Sequence, residues 1–163
     1  MNVAGFSEAR TSALMVEVAA GLVVPVTSLP SLVVLKLIAW RDRHLETPKD
    51  ATDFLLIARH YADAGNFDRL YETESELLQA VDFDPELADA MLLGKDAAAV
   101  CSDSTAHTVT DILADELLQQ RLFDQLLRAT LSSGVGADTP RVEQFINAFH
   151  SGFLAVNASS LSD

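Results

Sequence analysis

Residues 29–61, LPSLVVLKLIAWRDRHLETPKDATDFLLIARHY, decide how this chain is read. The first half is apolar almost throughout. With Ser28 or Ser31 as a cap and Pro30 in the first turn, it predicts a buried central helix running to about Arg43. Thr47-Pro48-Lys49-Asp50 then signals a second start: Thr as N-cap, Pro at the first helical position, Asp at the third. Phe54, Leu55, Ala58 and Tyr61 form the apolar stripe of that helix, and Gly65-Asn66 is its expected end. The stretch gathers Lys36, Arg41, Arg43, Lys49, Asp50 and Asp53, while cations are sparse elsewhere. A lysine at 36, inside the run Leu32 to Trp40, either carries its charge to water along its stem or presents it to a ligand.

Toward the N-terminus, Ser7 is the expected cap of a short helix ending near Ala13. Leu14–Ala19 and Leu22–Val26 are β-rich runs separated by Ala20-Gly21, which predicts a hairpin with Pro25 placing the second strand at an edge. Two strands are not stable alone in water, so the pair must pack on the helices or complete a sheet begun by something else.

Toward the C-terminus, short helical pieces are expected at 67–71 and 74–81. Asp84-Pro85 opens a helix that should end at Gly94, followed by a turn at 96–100. The longest C-terminal helix should begin at Thr110 or Asp111 and carry Ile112, Leu113, Leu117, Leu118, Leu122, Leu126 and Leu127 at helical spacing, a stripe for the core or for a partner. Residues 132–136 read as a loop and 140–156 as the last helix. The fold class is α+β and mostly α-helical: a hairpin, then a helical bundle. Residues 1–27 hold the sheet remnant, 28–156 the helical domain and 157–163 a flexible tail.

The 163 residues carry a net charge of -13, which opposes unaided binding to nucleic acid or to an anionic membrane. Between Lys36 and Arg59 the charges nearly balance, so a polyanion would enter beside Lys36 to Arg43. Cys101 is alone, which excludes a disulfide framework and a cysteine-based metal site. A soluble, cytoplasmic protein is expected, for no apolar run is long enough to span a membrane.

Lys36, Trp40 and Arg43 recur at i, i+4 and i+7 and should share one helix face; Asp50 and Asp53, at i and i+3, should share another. If the faces meet, two cations and two carboxylates form a pocket suited to a triphosphate. The plainer account has Asp50 capping its helix, Asp53 complementing the helix dipole, and Arg43 at an exposed helix end. His44, His60, His107 and His150 are too dispersed for a local metal motif. Ser104-Thr105 near His107 reads as loop, Gly134 and Gly136 do not make a dinucleotide fingerprint, and Cys101 reads as an inert thiol.

The pattern V-x-S-L-P-x-L-x-x-L-K-L-I-A-W-x-x-R followed by K-D-x-x-D-F resembles the third and fourth motifs of the AbiEii/AbiGii toxin family of nucleotidyltransferases. The resemblance runs from MNVAGFSEA through LADAMLLGKDAA, about two thirds of the chain. It implies a nucleotidyltransferase-like core followed by helices, transfer of a nucleotide from an NTP with Mg²⁺ to an acceptor (tRNA in some members), and an antitoxin counterpart. On that resemblance Lys36 contacts the triphosphate, Arg43 or Arg41 assists it, and Asp50 and Asp53 are the catalytic acidic motif.

The family's first motif, Gly-Ser followed by Asp-x-Asp on a strand, has no match. The chain contains no Gly-Ser, and its one Asp-x-Asp, Asp82-Phe83-Asp84, reads as a helix-entry turn. The chain therefore reads as the C-terminal portion of such an enzyme, with little or no transfer activity of its own. Its open strand edge would pair with a second copy or with a complementing N-terminal polypeptide, and RNA would bind only to the completed enzyme. The competing expectation is a non-catalytic helical interaction module, and a third is a regulatory nucleotide-binding domain.

Overall fold

The computed structural model describes residues 4–132 and 139–159. The order is α1 (Phe6–Thr11), β1 (Leu14–Ala19), β2 (Leu22–Val26), α2 (Leu29–Arg43), α3 (Lys49–Arg59), a kinked turn at Ala62–Asn66, α4 (Phe67–Glu72), α5 (Ser75–Ala80), α6 (Pro85–Val100), α7 (Asp103–Ala114), α8 (Glu116–Ser132) and α9 (Thr139–Ser159). This is the mostly helical α+β architecture expected, a hairpin followed by a bundle.

Gly5, and not Ser7, precedes α1. The strands pair antiparallel with Leu14 opposite Val26 and Val16 opposite Val24, and the register shifts between Glu17 and Ala19. Every residue of β1 is exposed, so the hairpin does not settle onto the helices.

The core is built on two helix contacts. Along α2, Val33, Val34, Leu37, Ile38 and Trp40 are buried, so the helix is central as its composition required. Ser28 caps it, its Oγ accepting from Ser31 N at 3.4 Å. Trp40 Nε1 donates to Gln125 Oε1 at 2.9 Å, and Gln125 Nε2 donates to the His44 carbonyl at 2.6 Å, which pins the end of α2 to α8.

The second contact is α6 against α9. Asp84 caps α6, its Oδ1 accepting from Glu86 N and Leu87 N at 3.1 and 3.2 Å, and Arg141 of α9 grips the same carboxylate (Nη2 to Oδ1, 2.9 Å). Farther along, Gly94 meets Phe149 and Phe153 while Gly152 meets Met91 and Lys95. The two helices therefore run in the same direction, and their backbones touch at the glycines.

Four further expectations change. Gly94 does not end a helix: α6 continues to Val100, because this glycine serves close approach and not a left-handed turn. The helix expected from Thr110 is two helices. α7 starts at Asp103, so Ser104 and Thr105 are helical, and Asp115 breaks the leucine pattern by capping α8 (Oδ1 to Leu117 N and Leu118 N, both 2.9 Å). α3 stops at Arg59, before the kinked turn that contains Gly65. The last helix reaches Ser159, beyond the expected boundary at 156. The glycine loop after Ser132 and the residues after Ser159 lie outside the described residues.

The start of α7 is held from far away in sequence. Glu8 on α1 accepts from Ser102 Oγ and Thr105 Oγ1, each at 2.6 Å, and from Ser102 N at 3.3 Å. Hydrogen bonds from Ser102, Ser7 and Thr105 lower the pKa of its carboxyl to about 2.

Asp89 of α6 is the opposite case. It is buried, and one carboxylate oxygen, Oδ1, has no hydrogen-bond partner. Burial raises its pKa to about 6, only partly offset by the backbone N–H groups of Ala62 and Tyr61. The folded chain thus holds this proton more tightly than the unfolded chain does. The associated stability is complete below the ordinary value of 3.8 and is lost as pH rises through about 6. Asp89→Asn, which keeps an acceptor without the charge, is expected to stabilise the protein by about 2 kcal/mol at pH 7.5 and by almost nothing at pH 4. Thermal melts of both proteins across that range check this; parallel curves would contradict it.

Candidate functional site

The link after α2 folds α3 back against it, so the α2 face carrying Lys36 and Arg43 lies against the first turn of α3. Thr47 Oγ1 accepts from Lys49 N at 3.2 Å, and the helix begins at Lys49, one residue later than expected. Asp50 is not a cap. Its side chain is 2% exposed and lies between two cations: Lys36 Nζ is 3.2 Å from Oδ1, and Arg43 Nη2 is 2.6 Å from Oδ2. Lys36 Nζ also reaches Asp53 Oδ2 at 2.5 Å. The hydrogen bond to Asp53 and the proximity of Asp50 raise the lysine pKa against the opposing effect of burial, so the ammonium stays charged.

Beside this network is a cleft of about 400 Å³. Lys36, Asp42, Arg43 and Asp50 edge it, and Ala4, Phe6, Leu35, Ile38 and Ala39 make its apolar wall. The volume and the mixture of apolar wall with few charged groups are those of a small-molecule site. Arg43 is half exposed, so its guanidinium can serve both the buried carboxylate and an anion in the cleft.

The structure therefore brings together Lys36, Arg43, Asp50 and Asp53, four of the five residues singled out from the sequence. Arg41 is separate: its Nε and Nη2 lie 3.3 Å from Asp42 Oδ1, outside the network. Trp40 is separate too. Spacing alone placed it with Lys36 and Arg43, but it is fully buried, turned toward Gln125 and tilted on His44 at 5.3 Å. Sequence reasoning missed Phe6 and Ala4 as cleft wall, because nothing local marks residues that meet α2 only through the fold.

An anionic nucleotide fits this donor set, since two cations edge an open cleft. A divalent cation does not. Both oxygens of Asp50 face cations in a sealed position, Asp53 faces Lys36, and the described residues hold no cluster of three or more His, Cys, Asp or Glu able to take a metal. Asp84 is committed to the α6 start and to Arg141, and Asp82 sits in the turn before it at φ 53. Cys101 is half-buried, and its thiol is pushed up to about 12 by burial and by Glu8, which leaves it unreactive.

A protein-family model described as nucleotidyl transferase AbiEii toxin, type IV TA system, matches residues 6–148. No curated protein and no solved structure matches the chain. No helix among the described residues is long and apolar enough to cross a membrane.

Proposed function

The chain belongs to the AbiEii family of nucleotidyltransferase toxins of type IV toxin–antitoxin systems, and from that membership we propose that its Lys36–Arg43 cleft receives the triphosphate of an NTP. The observation that carries this reading is the convergence of two α2 cations on one sealed carboxylate beside an open cleft. Lys36 and Arg43 meet phosphate oxygens, with the charge-assisted hydrogen bonds that such groups favour. Asp50 is a positioning residue, holding both cations at the cleft edge. The resemblance gives Asp50 and Asp53 a catalytic role; in this reading they arrange the cations and do not touch the reacting atoms.

Phosphoryl transfer of this class relies on carboxylates that hold metal ions at the reacting oxygens. The described residues offer no such set, so this chain binds nucleotide without transferring it to an acceptor. An RNA acceptor, opposed by the net charge of -13, enters only where a complete catalytic centre is assembled. The antitoxin named in the family description is the counterpart of the toxin system.

Equilibrium dialysis of labelled NTPs tests the reading. The wild type should bind at least one NTP, and Lys36→Met should weaken that binding about tenfold, the equivalent of about 1.4 kcal/mol. Equal binding by the two proteins would remove the cleft from the account. Transfer of label to RNA by the purified chain would contradict its inactivity.

A second reading, an interaction module, rests on the hairpin. Seven large apolar side chains between Leu14 and Val26 are exposed there, and β1 has a free edge without proline. An open edge flanked by exposed apolar side chains is a template for pairing with another chain. The occupant proposed is a second copy joined along β1. Light scattering should then give twice the monomer mass at micromolar concentration; a monomeric mass would sink this reading.

A further inference from the structure

Asp50 and Asp53 both pair with Lys36, yet their situations differ. Asp50 is sealed and held by two cations from α2. Asp53 is 31% exposed, and Lys36 is its sole ion-pair partner among the described residues. Asp50 borders the cleft and Asp53 does not, and the ammonium makes its shorter contact with Asp53, 2.5 Å against 3.2 Å to Asp50. With both carboxylates engaged, the four groups are neutral in sum and the cleft edge has no net attraction for an anion.

Resting on the nucleotide-binding reading above, we propose that Asp53 is an exchangeable gate, a carboxylate that occupies Lys36 until a phosphate chain displaces it. Displacement leaves Lys36 and Arg43 outweighing Asp50 by one positive charge, since Asp42, the other carboxylate at the cleft edge, is balanced by its ion pair with Arg41. Asp53 loses little on release, because a part-exposed carboxylate is readily taken up by water and its ion pair is weak. Asp50 cannot exchange in this way, since its burial leaves it no water to turn to. Asp53 therefore sets affinity for the incoming phosphate, and Asp50 keeps the receiving groups in place.

Sodium tripolyphosphate, titrated calorimetrically in metal-free buffer, is the probe. Asp53→Asn and Asp53→Ala should each bind it about two- to fivefold more tightly than the wild type, the range expected when a weak competing pair is removed. Asp68→Asn removes the same charge from an exposed site on α4 and should leave the affinity unchanged, which separates gating from a general change in net charge. Lys36→Met should bind weakly in every background. Wild-type binding that Asp53 substitution leaves equal or weaker overturns the gate while the phosphate site stands. Absence of binding in the wild type and in both Asp53 variants overturns the site and the gate together.

Discussion

Gly94→Ala is expected to destabilise the protein by about 3 kcal/mol or more and to lower its melting temperature by roughly 10 °C. A Cβ at position 94 would fall inside the carbonyl oxygen of Phe149 and 2.9 Å from Phe153 N. Both are backbone atoms of α9, so no side-chain rotation relieves the clash, and α6 and α9 would have to separate. A displaced α9 would also carry Phe149 away from Phe54 of α3, which it meets edge-on at 5.1 Å. Gly152→Ala should behave alike, since a Cβ there would sit 2.8 Å from Met91 C and 3.1 Å from Lys95 N. Thermal or urea unfolding measures both. A melting temperature within about 2 °C of the wild type would show that the helices do not approach as described.

Asp50→Asn is expected to cost about 2–3 kcal/mol, near the low end for breaking a buried ion pair because Arg43 can still turn to water. The amide accepts on its oxygen side alone and carries no charge to balance two cations, and its NH₂ group would face one of them. The same change should weaken tripolyphosphate binding, because Lys36 and Arg43 lose the group that holds them at the cleft edge. Asp53→Asn, by contrast, should alter stability by less than about 1 kcal/mol. Denaturant titration of the two variants checks the contrast. Equal losses would mean that both carboxylates are structural, and an unperturbed Asp50→Asn would return Asp50 to the role of an ordinary dipole-facing residue.

Where local chemistry decides, the sequence carried the structure. The hairpin bounds follow from β-rich runs around Ala20-Gly21, and the start of α6 from Asp84-Pro85. Helical spacing on either side of one short link put Lys36 and Arg43 on one face and Asp50 on another, and left open whether the faces meet, as they do. What was not legible depends on partners distant in the chain. Gly94 looks like a helix stop until Gly152, 58 residues later, supplies the surface that needs it. The break at Asp115 hides inside a continuous leucine pattern, because an aspartate that caps and one that faces solvent read alike. Trp40 fits the spacing of the cationic face, but a helix as apolar as α2 has no pattern to show which side meets α8. Spacing also could not separate Arg41 from Arg43, since the choice rests on where Asp42 and Asp50 fall in space.

The central claim is that phosphate meets Lys36, and amine labelling reads it directly. The chain contains three lysines, Lys36, Lys49 and Lys95. Lys95 is committed to Glu74 at 2.6 Å, and Lys49 is not among the residues bordering the cleft, so both serve as internal references. The protein would be treated briefly with an acylating reagent, with and without NTP or tripolyphosphate, and each lysine quantified by mass spectrometry. The account predicts that acylation of Lys36 falls several-fold when either anion is present, while Lys49 and Lys95 are unchanged. Acylation of Lys36 that either anion leaves unaltered would contradict it.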